Sequence, residues 1–265
     1  MKRNIFAVLA LALAAPACSE KLKAQNDAEL IAAQYGISFT QQFLGKVIRG
    51  ENILQSFQTA ASEAVPSAAF QYAGMKMVGA NWQFAIPAQL LTQKGAWVQR
   101  QSMLGRPIFG REFLTTWELD YLWFNLRVRD GRMLLPRLNP FTVFVAAEQE
   151  RQSVFWKESL VSGAVIYKAT RDIDALGKHA DNVIVIQHVA GNWGSVLSHE
   201  LTHSLQRVRG HPLFDVVLHQ DASQKRFLPF LRVDLGGLWM SAYGRNFFPK
   251  GGDNFLEWEV DGYVY

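Results

Sequence analysis

The second half of the chain carries the apolar and polar patterns of β-strands. Apolar and polar residues alternate within residues 121–135, and Asp130-Gly131 in that segment is a strong hairpin-turn pair. The β-branched run 183–186 predicts a buried strand, and the apolar segment 141–145 predicts a further one. The pattern therefore predicts a set of short strands in this half of the chain.

Helical patterns occur on both sides of these strands. Apolar residues in 39–64 predict helices with a break near Gly50. Another helix is predicted to begin after residue 191, with Asn192 or Ser195 as its cap, and to end at Gly210 and Pro212. Its apolar positions are Trp193, Val196, Leu197, Leu201, Leu205 and Val208. The segment 65–100, rich in Ala, Gly and Gln, shows no clear period.

This order of elements predicts an α+β fold. Strands followed by two helices suit a mixed or antiparallel sheet packed against one of those helices. We expect a mainly helical N-terminal region at residues 37–110 and a second domain at 111–265.

The N-terminus indicates export. Lys2 and Arg3 precede a short apolar run, and Ala15-Pro16-Ala17 matches the small-residue cleavage pattern of a signal peptide. We therefore expect residues 1–17 to be removed and residues 18–36 to form a tether. Cys18 follows the cleavage site directly, which is where a bacterial lipoprotein carries its lipid. A lipid-anchored envelope protein and a soluble periplasmic protein both remain open.

The composition is that of a packed globular protein. Hydrophobic residues make up 49% of the chain, which includes 8 Trp and 18 Phe. With a single Cys there is no intrachain disulfide, so the fold depends on its core. The net charge of +4 is small, and we expect no nucleic-acid partner for an exported protein. The predicted hairpin contains four arginines, which we interpret as one solvent-exposed face of the strands. They are Arg127, Arg129, Arg132 and Arg137.

The sequence His199-Glu200-Leu201-Thr202-His203 carries the chemistry. Positions i and i+4 of a helix share a face, so both imidazoles can reach one metal ion, with Glu200 beside it. Zinc lowers the pKa of bound water to about 7, and a neighbouring carboxylate can accept its proton. The motif predicts zinc-assisted hydrolysis of an amide, most simply a peptide bond.

A catalytic zinc site needs a third protein ligand. The metzincin extension is excluded, because Gln206 and Arg209 stand where that class has Gly and His. Glu257 and Asp261 are four residues apart and share a helix face, whereas Glu259 points away from both. Glu259, another downstream acid, His211 or His219 are alternative ligands. Glu257 also stands three residues after Asn254, so a capping box is a structural alternative for it.

The pair Glu257 and Asp261, downstream of the histidine motif, resembles the E-x-x-x-D signature of the gluzincin metallopeptidases. The resemblance covers about the last 80 residues and implies a zincin-like fold, with the motif on an active-site helix and the third ligand on a C-terminal helix. It implies that His199, His203 and Glu257 bind Zn2+, that Glu200 is the general base and that Asp261 orients a ligating histidine. It also implies an oxyanion-stabilising Tyr or His, for which the candidates are Tyr243, His219 and His211.

We therefore expect an exported zinc-dependent peptidase that acts on peptides or proteins in the bacterial envelope. Two alternative functions would use the same metal site. One is an envelope protein whose zinc site has lost turnover, and the other is a zinc amidase acting on cell-wall material.

Overall fold

The computed structural model describes residues 27–149, 152–169, 176–187, 193–217 and 230–232, together with Val260, Tyr263 and Val264. Tyr243, Glu257 and Asp261, three of the predicted site residues, lie outside this described part of the chain.

Long helices form the N-terminal region. They are α1 (Asp27–Ile48), α2 (Ile53–Ala80), a 3-10 turn (Trp82–Phe84), α3 (Ala85–Met103) and the short α4 (Arg111–Thr115). The predicted break near Gly50 is confirmed, because Gly50 adopts a φ of 88° and Asn52 caps α2 by accepting hydrogen bonds from the next turn. The predicted tether differs from the structure, since residues 27–36 belong to α1 and Leu30 is fully buried.

The interfaces of α1, α2 and α3 contain many buried polar residues, which explains why residues 65–100 show no clear apolar period. Ser67 Oγ donates to Gly95 O at 3.0 Å, and Gln99 Nε2 donates to Ser38 Oγ at 3.1 Å. Small residues let the backbones approach closely: a Cβ on Gly74 would lie 2.6 Å from a carbonyl oxygen of α3. Hydrogen bonds and close backbone contact therefore stabilise this layer together with buried apolar side chains such as Leu30, Met75 and Met103.

The first sheet is antiparallel. It contains β1 (Trp117–Tyr121), β2 (Phe124–Arg129), β3 (Arg132–Met133) and β4 (Arg137–Leu138), with β2 paired to each of the others. The predicted hairpin turn is confirmed, because Asp130 and Gly131 join β2 to β3 with φ values of 51° and 75°. Residues 230–232 run beside β4, where Arg232 N donates to Leu138 O at 2.8 Å.

The second sheet is mixed. Its strands are β5 (Ser153–Val154), β6 (Val165–Lys168), β7 (Gly177–Ala180) and β8 (Val183–Ile186), in the order β5-β6-β8-β7. β6 and β8 are parallel, and the other pairs are antiparallel. The predicted strand at 183–186 is confirmed as β8, and the two sheets with their helices confirm the α+β class.

The predicted strand at residues 141–145 is wrong. This segment lies in helix α5 (Pro140–Glu148), and α6 (Trp156–Ser162) follows β5. Asn139 caps α5 by accepting hydrogen bonds from Phe141 N and Thr142 N, and Pro140 occupies the first turn, where its missing N–H costs nothing. The cap therefore overrides the strand-like run of apolar residues.

Helix α7 (Trp193–Val217) covers one face of the second sheet and carries the histidine motif. Ile166, Ile184 and Ile186 share a core with Leu197 and Leu201 of this helix. The opposite face of the sheet packs on α5 through side chains of both layers: Val145, Ala146, Val165, Tyr167, Val183 and Val185.

The predicted end of this helix at Gly210 and Pro212 is wrong, because α7 continues to Val217. A proline removes one hydrogen bond of a helix, and contacts made by the last turns offset that loss. His211 Nδ1 lies 2.9 Å from Arg232 Nη2, and Asp215 pairs with Arg100 at 3.5 Å.

A buried cluster of ions joins α7 to both sheets, and we call it the Arg207 cluster. Arg207 pairs with Asp120 of β1 at 3.1 Å and with Asp181, which lies in the turn between β7 and β8. Asp120 also pairs with Arg232. Burial raises the pKa of Asp120, but Arg232, Arg207 and His211 lower it more, so this pKa lies below its ordinary value. The Asp120 carboxylate is therefore charged at neutral pH. The Asp181 carboxylate accepts hydrogen bonds from Asn139 and Thr142.

Replacing Asp181 by Asn is expected to destabilise the protein by about 3–5 kcal/mol, because it leaves the Arg207 guanidinium buried with too little negative charge. Urea unfolding at neutral pH measures the change. Asp130→Asn is the matched control, since Asp130 is solvent-exposed in the hairpin turn, and its effect is expected to stay within about 0.5 kcal/mol. Equal effects of the two changes would contradict a structural role for the cluster.

Candidate metal centre

The two histidines of the motif point their ring nitrogens at each other. His199 Nε2 and His203 Nε2 are 3.2 Å apart, and the two rings are nearly perpendicular, at 79°. This follows from their i and i+4 positions on α7, which place both side chains on one face of the helix.

This separation fits a shared zinc ion. Two imidazole nitrogens bound tetrahedrally to zinc at 2.0–2.1 Å are separated by about 3.3 Å. Gln206, one turn further along α7, supports the required ring orientation, since its Oε1 lies 2.9 Å from His203 Nδ1. With an amide oxygen as acceptor, Nδ1 carries the proton and the Nε2 lone pair is directed toward His199.

Glu200 is buried, with 7% of its surface exposed, and it lies against the edge strand β7. A Cβ on Gly177 would come within 2.6 Å of Glu200 Oε1, 2.8 Å of its Cγ and 2.9 Å of Val196 Cγ1. The absence of a side chain at Gly177 therefore creates the space that the Glu200 carboxylate occupies. The isolated glycine in the strand is the only sequence pattern that hints at this close approach.

His179 of β7 is a third imidazole beside the motif. Its ring lies nearly parallel to that of His203, at 22°, with the centroids 6.2 Å apart. Its Nε2 lies 2.6 Å from the carbonyl oxygen of Asp181, so Nε2 is the hydrogen-bond donor. Burial, with smaller effects of His203 and Arg207, lowers the pKa of His179 to about 3. His179 has no ligand spacing to another histidine in the sequence, and only the pairing of β7 with β8 brings it to the motif.

Of the three predicted zinc ligands, His199 and His203 lie among the described residues, and Glu257 does not. His211 is eight residues beyond His203 on α7, a rise of about 12 Å, so it cannot bind the same ion. No group of three His, Cys, Asp or Glu side chains forms a metal site within the described ranges. Several predicted or alternative residues lie outside those ranges: Tyr243, Glu257, Glu259, Asp261 and His219.

Comparison of the chain with protein-family models, with curated proteins and with solved structures finds no match. Among the helices that the structure describes, none is both long and apolar enough to cross a membrane.

Replacing Gly177 by Ala is expected to destabilise the protein by about 1–3 kcal/mol, because the added methyl group overlaps Glu200 and Val196. Chemical denaturation measures the loss. Gly36→Ala serves as the control, since a Cβ there meets nothing within 4 Å in the exposed face of α1, and a small gain in stability is expected. A neutral Gly177→Ala would show that the Glu200 carboxylate does not need this space.

The low pKa of His179 predicts sensitivity to acid. The folded protein keeps this imidazole neutral down to about pH 3, whereas the unfolded chain protonates it near the ordinary value of 6.5. Stability is therefore lost as the pH falls from 6.5 toward 3. Urea unfolding of metal-free protein should show that wild type loses about 2–3 kcal/mol more than His179→Gln between pH 7 and pH 4.5. Parallel pH profiles would contradict a buried neutral imidazole.

Proposed function

We propose that this protein is an exported zinc-dependent peptidase of gluzincin type. The observation that carries the proposal is the 3.2 Å separation of His199 Nε2 and His203 Nε2, with a buried carboxylate at Glu200. The i and i+4 spacing alone brings two imidazoles to one face of a helix. The amide acceptor behind His203 is a further feature of a metal ligand, because it directs the Nε2 lone pair toward the candidate site.

The motif residues divide the chemistry among them. His199 and His203 hold the metal, and Gln206 keeps the proton of His203 on Nδ1. Zinc, when bound, acts as a Lewis acid that lowers the pKa of water to about 7 and polarises a carbonyl group. Glu200 accepts the proton of the attacking water on its carboxylate and delivers it to the departing amide nitrogen. The backbone of Gly177 limits the positions open to that carboxylate.

The mixed sheet against α7 supports the zincin-like architecture and a peptide substrate. β7 is the last strand of its sheet in the described part of the chain, and its Gly177 and His179 face the motif helix. An extended peptide can add to such an edge through backbone hydrogen bonds, which places its amide groups beside Glu200.

The remaining roles follow from the resemblance. Glu257 is the third ligand, Asp261 orients a histidine and Tyr243 stabilises the oxyanion. Two buried residues close to Asp261 in the sequence support the role of Asp261 near the motif helix. Val260 is fully buried, and Tyr263 belongs to the same core as Leu197 and Leu201 of α7. We further propose that the protein acts in the periplasm or on the envelope, with Cys18 as a possible point of lipid attachment.

The experiment combines metal content with turnover on the chain lacking residues 1–17. Wild type is expected to hold about one zinc per chain, and His203→Ala and Glu257→Ala to lose it or bind it weakly. Glu200→Gln is expected to keep zinc and to lose about 10²–10⁴-fold in the hydrolysis of a fluorogenic peptide library. Glu148→Gln, an exposed acid on α5, is the control and should match wild type in both measurements.

Each of the other outcomes would favour a different function or none. Wild type without zinc would make the motif a coincidence. Zinc without peptide hydrolysis, but with release of amines from peptidoglycan fragments, would favour the amidase. Zinc with neither reaction, together with an unfolded His203→Ala, would indicate a metal site that serves stability alone.

A further inference from the structure

A cavity lies away from the candidate metal centre. It has a volume of about 240 Å³ and is bounded by α3, by β1 and β2, and by the C-terminal turns of α7. His211 and Pro212 of α7 line it, and His211 is about 12 Å along the helix from His203. We call this cavity the Arg127 pocket; the residues that matter for its chemistry are Lys94, Trp97, Arg106, Arg127 and Arg129.

The Arg127 pocket has an excess of positive charge. Seven Lys and Arg residues line it, against three Asp and Glu residues. Two of the acids are already paired, Asp215 with Arg100 at 3.5 Å and Glu118 with Arg232 at 3.3 Å. The guanidinium groups of Arg106 and Arg127 have no carboxylate within 4.0 Å in the part of the chain that the structure describes.

Two of the residues that line the pocket carry buried donors without acceptors. Arg127 Nε and Trp97 Nε1 are buried, and neither has a hydrogen-bond partner among the described residues. Both groups can only donate, and a buried donor left without an acceptor is costly. A ligand rich in acceptor oxygens, entering with small side-chain movements, would satisfy them.

The ammonium group of Lys94, which also lines the pocket, already has hydrogen-bond partners within the protein. Lys94 Nζ donates to Thr116 O at 2.6 Å and to Phe113 O, and it lies 3.7 Å from the centroid of the Trp117 ring. Lys94 therefore adds positive charge to the pocket wall without being its principal hydrogen-bond donor. That role falls to Arg127 and Arg106.

We propose that the Arg127 pocket binds a phosphate group, through Arg127, Arg106 and the indole N–H of Trp97. Arginine suits phosphate because its planar fork donates two parallel hydrogen bonds to neighbouring oxygens. Several cations around one cavity match a dianion with many oxygens better than a carboxylate with two. The phosphate belongs either to a soluble small molecule or to a lipid headgroup. This site is separate from the metal and does not depend on hydrolysis.

The first test is calorimetric titration of metal-free protein with inorganic phosphate at low salt. Wild type is expected to bind about one phosphate, and Arg127→Gln and Arg106→Gln are each expected to weaken binding about tenfold or more. Arg132→Gln is the matched control, because Arg132 lies exposed on the same hairpin outside the pocket, and its affinity should stay within about twofold of wild type.

Two results would overturn the proposal: no phosphate binding by wild type, or an equal loss in Arg132→Gln, which would indicate general charge attraction. Circular dichroism checks folding, and if Arg127→Gln does not fold, Arg106→Gln in its exposed loop decides the test. Sedimentation with vesicles of phosphatidylglycerol or phosphatidylcholine then identifies the source. Binding to phosphatidylglycerol that Arg127→Gln abolishes favours a lipid headgroup, and phosphate binding without vesicle binding favours a soluble ligand.

Discussion

The ion pairs of Arg207 are the interaction on which the rest of this structure depends. One guanidinium on α7 holds Asp120 of the first sheet and Asp181 of the second. Asn139 Nδ2 donates to Asp181 at 2.8 Å, and Thr142 also bonds this carboxylate, so α5 joins the same cluster. A buried charge that loses its partner is costly, so these ion pairs favour the mutual arrangement of the two sheets and the motif helix in which they form.

That arrangement extends to the candidate metal centre through the turn between β7 and β8. Asp181 binds Arg207 with its carboxylate and accepts a hydrogen bond from His179 with its carbonyl oxygen. His179 in turn stacks beside His203. The same strand brings Gly177 against Glu200. The position of the edge strand relative to the two histidines is therefore set by a charged cluster next to them, and weakening the cluster should disturb both stability and the site.

The two ends of α7 differ in chemistry. The first half presents imidazoles and a carboxylate to the edge of the mixed sheet, whereas the last turns line a cavity with an excess of arginine side chains. Continuation of the helix through Pro212 joins these regions in one element. A ligand in the Arg127 pocket and a metal at the motif would thus act on the same helix, with the Arg207 cluster between them.

Local spacing was enough to predict the parts whose geometry lies within one element: the facing of His199 and His203, strand β8, and the Asp130-Gly131 turn. It failed where a helix cap or contacts with distant residues outweigh the local pattern of apolar residues. Examples are α5, which begins at its Asn139 cap, and the part of α7 beyond Pro212. The roles of Gly177 and His179 became evident only in the fold, because a close approach and a stacked ring depend on residues from different elements. Residues 65–100 of α2 and α3 carry no clear apolar period, so their packing became evident only in the tertiary structure, where buried hydrogen bonds and close backbone contacts join these helices.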